Sequence, residues 1–219
     1  MAQDTKALIA RTAYRMFLER GYKATTLRAI AEQCDVTHAN VVYHFKGKWQ
    51  LARLLVDTYA HVVDDVSSAF AEERAIAPST ERYLLYWALH HAYLASHPDF
   101  AAFYVEFGNI NRSEAAADRY DFGEGHKHLV SLTLGKQVAS TGDEFDFDMH
   151  LLVEADIQLA NALALGRIGV AESVAHYYRT SFALLMHEIL DDSVARVDAA
   201  HVVGSGILDR VDEVAKLIY

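Results

Sequence analysis

Thr37, His38, Asn40, Tyr43, His44 and Lys48 crowd into one short stretch and bring hydroxyl, imidazole, amide and ammonium groups close together. Such groups suit phosphate oxygens, and an amide or imidazole can also pair with the edge of a base. A second concentration lies at 83 to 107, with Tyr83, Tyr86, Trp87, His90, His91, Tyr93, Phe103, Tyr104 and Phe107. At helical spacing Tyr83, Trp87, His90 and Leu94 share a face, as do Tyr86, His90 and Tyr93. An apolar wall with a few hydrogen-bonding tips describes ordinary core, and it also describes the lining of a small-molecule pocket. A third group, Glu124, His126 and His128 with Asp118 and Asp121 nearby, invites a metal reading among the 12 histidines. On a helix, however, residues two apart point to nearly opposite faces, and no His-Glu-x-x-His spacing occurs. No metal and no cofactor is expected. The chain also lacks a GxSxG elbow, a phosphate-binding GxxxxGK[ST] loop and a GxGxxG turn, so no enzyme is expected.

The elements that must position these groups are helical, because no segment alternates polar and apolar residues long enough for a strand. In the first segment Ile9, Ala13, Met16 and Phe17 line one face until Gly21 stops the helix. Thr26 can cap a second helix carrying Leu27, Ile30 and Ala31, and Thr37 can cap a third. Between them Cys34, Asp35 and Val36 suit a tight turn, in which Asp tolerates positive φ. Gly47 closes this head, and a long helix follows from Lys48 to about Arg74. Breaks at Pro78, Pro98, Gly108 to Asn111, Gly123 and Gly125, Gly142, Gly166 and Gly169, and Asp191-Asp192 punctuate roughly six further helices. Helices at about 146 to 166 and 170 to 190 are apolar on more than one face. Leu152, Ala155, Leu159 and Leu163 form one stripe, and Val174, Tyr178, Phe182, Leu185 and Ile189 another. The C-terminal stripe Ile207, Val211, Val214 and Ile218 should cover part of this body.

At 219 residues with 52% hydrophobic residues and 2 prolines, the chain can bury a core without staples. Its single Cys34 excludes an internal disulfide and a Cys-rich zinc site, and it reads as a small buried hydrophobe in a reducing, cytoplasmic setting. No leader and no membrane-spanning run is apparent. The net charge of −10 argues against a polyanionic partner only as an average. Residues 1 to 50 carry a net +4, and residues 51 to 219 carry −14.

A short capped helix, a turn and a second short helix with Tyr, His and Lys just past it is the pattern of a DNA-reading helix-turn-helix. Phe17-Leu-Glu-Arg-Gly-Tyr22, Ala24-Thr-Thr-Leu, Ile30-Ala-Glu, Val36-Thr37 and Tyr43-His-Phe-Lys-Gly-Lys48 occur in order, and the head resembles that of the tetracycline-repressor (TetR) family of transcriptional regulators. The resemblance covers about the first quarter of the chain. It implies an all-α protein with a helix-turn-helix domain at 1–48 and an effector-binding and dimerisation domain at 49–219. It also implies that Thr26 and Arg28 meet phosphate where the second helix opens, and that Thr37, His38, Ala39 and Asn40 form the first turn of the reading helix. Asn40 is the candidate for a base contact, while Tyr43, His44 and Lys48 hold the backbone of a double-stranded operator. Val42 stands where the family has an aromatic residue, Asp35 where its turn has Gly, and Ala39 where a small residue, often Gly, allows close approach.

The resemblance further implies an effector cavity lined by Tyr83, Tyr86, Trp87, His90, Tyr93, Phe103, Tyr104 and Phe107. It implies a homodimer through Leu152, Ala155, Leu159, Leu163, Val174, Tyr178, Phe182, Leu185 and Ile189. The expected protein is a ligand-responsive regulator, a repressor released by a small hydrophobic or aromatic effector, with no membrane partner. Two alternatives stay open: a helical metal-dependent enzyme using the histidine-rich body, and a ligand-independent helical adaptor.

Overall fold

The computed structural model describes residues 2–113 and 142–218, and every regular element among them is helical. The head is α1 (Ala2–Arg20), α2 (Leu27–Gln33) and α3 (His38–His44). The apolar stripe of α1 is buried as its spacing predicts, with Ile9, Ala13, Met16 and Phe17 inside. Gly21 ends the helix at φ +84, a left-handed conformation that costs a residue with a Cβ free energy. The hydroxyl of buried Thr25 donates to the carbonyls of Met16 at 3.2 Å and Gly21 at 2.9 Å, which fixes the turn leading into α2.

Helix α4 (Lys48–Glu73) starts at Gly47 and runs from the head into the body. The body continues with α5 (Thr80–Ser96), α6 (Pro98–Ser113), α7 (Gly142–Ala164), α8 (Val170–Leu185), α9 (Asp192–Val203), a 3₁₀ turn (Ile207–Arg210) and α10 (Val211–Ile218). Buried Ile207, Val214 and Ile218 belong to a core that runs without interruption from Ile9 in the head to the C-terminal helix. Among the described residues no helix is long and apolar enough to cross a membrane.

Two boundaries differ from the sequence reading. Gly108 to Asn111 do not break the chain; they lie inside α6. A Cβ on Gly108 would stand 2.6 Å from Ile157 Cδ1 on α7, so this glycine lets two helices approach closely rather than ending one. Helix α8 stops at Leu185, its carbonyl ladder closed by Met186, and His187 turns the chain at φ 53. Ile189 therefore leaves the α8 stripe and is 96% exposed. Gly123, Gly125 and the segment holding Asp118, Asp121, Glu124, His126 and His128 lie outside the described residues.

Candidate DNA interface and buried polar cluster

The turn of the head is built by two threonine caps. Thr26 Oγ1 accepts from the Ala29 amide at 3.1 Å, and Thr37 Oγ1 accepts from the Asn40 amide at 3.1 Å. Each cap satisfies an amide that a helix start leaves without a partner. Asp35 between them takes φ 53, as its place in the turn predicts. Cys34 is buried beneath this turn.

Helix α3 buries only Val41, so the rest of its surface is free to face a ligand. Thr37, His38 and Ala39 are exposed, and Asn40 and His44 are half-buried. Tyr43 is 83% exposed and stands edge-on to the His44 ring at 5.1 Å. Such a solvated aromatic ring suits a contact made elsewhere. Val42, at 38% exposure, offers no hydrogen bond on the same surface. Phe45 is buried and anchors α3. Thr26 and Arg28 are exposed where α2 opens.

Lys48 is placed differently from the expectation. Its ammonium donates to the Tyr22 carbonyl at 2.7 Å and the Lys23 carbonyl at 3.4 Å, and it lies 4.2 Å from the centre of the Tyr22 ring. Burial pulls it below the usual lysine range, with Glu106 opposing that shift. Lys48 thus ties α4 to the loop after α1. Glu106 on α6 completes this joint, because its carboxylate accepts from the Tyr22 amide at 2.6 Å and the Lys23 amide at 3.3 Å. Phe103 stacks on Phe17 at 5.4 Å, and Phe107 meets Tyr22 at 5.3 Å. One face of α6 therefore grips the head.

The residues expected to line a cavity divide accordingly. Phe103 and Phe107 belong to the seam with the head. Tyr93 packs in the core against Tyr59, His97 and Phe100. Tyr83 lies between Trp87 and Phe182. Tyr86, Trp87, His90 and Tyr104 do come together, around a carboxylate that the sequence reading did not single out.

That carboxylate is Asp156 on α7, 4% exposed. Its Oδ1 stands 3.1 Å from His90 Nε2 and 3.4 Å from His91 Nε2, and its Oδ2 accepts from the Tyr104 hydroxyl at 2.6 Å. On the far side of His90, Nδ1 meets the Tyr59 hydroxyl at 2.8 Å. Tyr86 stacks parallel to the His90 ring at 6.2 Å, and Trp87 stands edge-on to it at 5.4 Å. Burial alone would push the Asp156 carboxyl up, but the facing His90 and His91 hold it well below the usual range. Burial pulls His91 down, toward its neutral form. Burial raises the hydroxyls of Tyr59, Tyr86 and Tyr177, so they stay protonated donors.

One signal for Asp156 was present in the sequence. It falls in register with Leu152, Ala160 and Leu163, all buried, so a carboxylate sits on the inward face of an otherwise apolar helix.

Of the residues expected between two copies of the chain, Leu152, Leu163, Val174, Tyr178, Phe182 and Leu185 are buried within this one chain, while Leu159 is half-buried. The outward side of α7 and α8 carries instead a groove of about 560 Å³, lined by Leu151, Glu154, Ala155, Arg179, Thr180, Ala183, Leu184, Ile189 and Leu190. Ala155 and Ile189 are thus the two expected residues that reach it.

Comparison with known proteins bears on the head. The family model described as bacterial regulatory proteins, tetR family, matches residues 9–55. The HTH-type transcriptional regulator TtgR of Pseudomonas putida is 36% identical over 77 residues, which cover 35% of this chain and 37% of that protein. The probable HTH-type transcriptional regulator YttP of Bacillus subtilis is 37% identical over 59 residues, covering 27% of this chain and 28% of that protein. The chain therefore matches only 28% to 37% of the length of these curated relatives. Among solved structures, a gamma-butyrolactone receptor (ArpA-like protein) is similar over 93% of this chain and 98% of its own, at 17% identity and a TM-score of 0.47. Full-length native TylP, a TetR regulator from Streptomyces fradiae, is similar over 96% of this chain and 99% of its own, at 21% identity and a TM-score of 0.49. The matched stretch takes in α2, the Asp35 turn, α3 and most of α1, so the similarity to the family described as bacterial regulatory proteins, tetR family, lies in the helix-turn-helix head.

Proposed function

We propose that the chain is a homodimeric, ligand-responsive transcriptional repressor rather than an enzyme, acting in the cytoplasm. Residues 1–48 serve as its DNA-binding head and residues 49–219 as its effector and dimerisation body. Thr26, Arg28, Tyr43 and His44 hold phosphates. Thr37, His38, Ala39 and Asn40 approach the bases, with Asn40 pairing to adenine. Lys48 acts behind the interface, keeping the loop after α1 in place.

Two copies related by a two-fold axis would set their reading helices about one DNA turn (~34 Å) apart and read a palindromic operator. The apolar groove of Leu151, Ala155, Ala183, Leu184 and Ile189 supports pairing through the outward side of α7 and α8.

One observation carries the ligand-responsive part. Helix α6 presents Tyr104 to the buried Asp156 carboxylate and Glu106, two residues later, to the loop of the head. A small hydrophobic or aromatic effector that displaced Tyr104 would move the same helix that holds Tyr22 and Lys23. Release from DNA then follows by population shift, limited to the effector's differential affinity for the two states.

Selection of duplexes from a random pool by the purified chain tests this reading. The expected result is an enriched palindrome with half-site centres about 10–10.5 base pairs or a multiple apart, and loss of preference at one position with Asn40→Ala. No enriched sequence, or enrichment of a single half-site by a monomer, would overturn it.

A further inference from the structure

We propose that His90, His91 and Asp156 form a binding site for a divalent transition-metal cation of the zinc class, buried in the body between α5 and α7. The site does not depend on the DNA reading, nor on whether the body takes an organic effector.

The geometry comes first. One donor atom of each residue lies within 4.8 Å of the other two, and all three residues are buried. The two edges to Asp156 Oδ1 measure 3.1 Å from His90 Nε2 and 3.4 Å from His91 Nε2. Nitrogen and oxygen ligands at about 2.0–2.2 Å from a tetrahedral zinc ion stand about 3.3–3.5 Å apart. The two edges to Asp156 are within a few tenths of an ångström of that spacing, and the third, between the imidazole nitrogens, is no longer than 4.8 Å.

A second, independent observation is the state of His91. Its side chain is fully buried, its Nδ1 has no hydrogen-bond partner among the described residues, and its Nε2 has only the 3.4 Å approach to Asp156 Oδ1. A buried polar group left without a partner is costly and uncommon. Coordination through Nε2 would replace that long approach with a full ligand bond, and it places a positive charge beside a carboxylate whose ion-pair partners among the described residues are two imidazoles.

The groups behind the donors are arranged as metal ligands need them. With the His90 proton on Nδ1, that N–H donates to the Tyr59 hydroxyl at 2.8 Å, and Tyr59 donates onward to the His90 carbonyl at 3.3 Å. The Nε2 lone pair then faces Asp156. The Tyr104 hydroxyl holds the other carboxylate oxygen at 2.6 Å. Such outer contacts fix the tautomer and orientation of ligating side chains. Two imidazoles and one carboxylate suit zinc, cobalt, nickel or ferrous iron, whereas magnesium and calcium take all-oxygen sets. Three protein ligands leave a fourth position open to water or to a donor atom on a small molecule. Any proton on a ligating nitrogen goes to solvent as the cation binds.

The test is cobalt(II) titration of the full chain after chelator treatment and dialysis, followed by visible ligand-field absorption and by thermal melting. One equivalent should bind with the intense bands of a four-coordinate site, zinc(II) should abolish them, and saturating metal should raise the melting midpoint by about 5 °C or more. X-ray absorption on the zinc form should count two imidazole nitrogens. His91→Ala and Asp156→Asn should each weaken binding at least ~100-fold, and Tyr104→Phe about 10-fold. A His126→Ala/His128→Ala double variant should bind as the parent does. A folded parent chain that gives neither bands nor a melting shift overturns the site. Binding that survives both His91→Ala and Asp156→Asn, or that disappears in the His126/His128 variant, overturns it too. If the buried variants do not fold, the parent titration and the nitrogen count still decide.

Discussion

Helix α3 of the head turns its hydrogen-bonding side chains outward, and the cluster of α5 and α7 in the body turns its own inward. Tyr43 on α3 is 83% exposed, whereas His91 on α5 is fully buried. The two arrangements have opposite energetic consequences. A polar group in water loses little when the fold forms and keeps its bonding capacity for a partner. The same group inside must be satisfied within the fold or it destabilises the fold. Substitution should therefore change recognition in the head and stability in the body.

The largest test of that contrast is Asp156→Ala. It removes the carboxylate that His90, His91 and the Tyr104 hydroxyl face, and it should cost about 3–5 kcal/mol in urea denaturation, as breaking a buried pair generally does. A loss below about 1 kcal/mol would mean that the cluster is solvated and that the inward half of the comparison is wrong.

Glu106→Ala probes the joint where the contrast should blur. Its carboxylate belongs to the body, but the amides it accepts from, Tyr22 and Lys23, belong to the head. Removal should lower stability by about 1–3 kcal/mol, with Glu106→Gln recovering part of it because the amide oxygen can still accept. The same variant should weaken DNA binding while its denaturation remains a single cooperative transition. Wild-type DNA affinity in Glu106→Ala would disconnect α6 from the head.

The head was more legible in the sequence than the body because its rules are local. Thr26 and Thr37 each cap an amide three residues on, and Asp35 sits in a turn whose strain it tolerates, so residue type and spacing suffice to place them. In the body the decisive contacts are remote in sequence. Gly108 reads as a break until Ile157 is seen pressed against it. The stripe Val174, Tyr178 and Phe182 reads as an interface, yet the chain covers it with its own helices, as where Phe182 meets Tyr83. A hydrophobic face says that it must be buried and does not say by what. Lys48 shows the same limit in the head, since only the fold reveals that its ammonium has carbonyl partners.

Asn40→Ala tests the outward half of the comparison on specificity. Asn40 is half-buried on α3, and its amide is the group there suited to bidentate pairing with adenine. The variant should fold normally and lose about 1–3 kcal/mol of discrimination at one operator position in competition binding. Unchanged discrimination would move base reading to His38 or Thr37.

Tyr43→Phe is the mildest test and separates the two kinds of head contact. It keeps the ring and deletes one hydroxyl on a side chain that is 83% exposed, so the melting midpoint should stay where it is. Phosphate contacts carry no sequence information, so operator and unrelated duplexes should weaken together, by about 0.5–1.5 kcal/mol for one lost hydrogen bond. The hydroxyl is neutral, so the slope of affinity against salt should be unchanged, unlike the result of removing a cation such as Arg28. Equal loss on both duplexes with an unchanged slope places Tyr43 on the backbone, and with Val42 beside it contributing no donor, it holds that position alone. A loss confined to the operator would make Tyr43 a reader of bases, and the surface of α3 would then have no division between holding DNA and reading it.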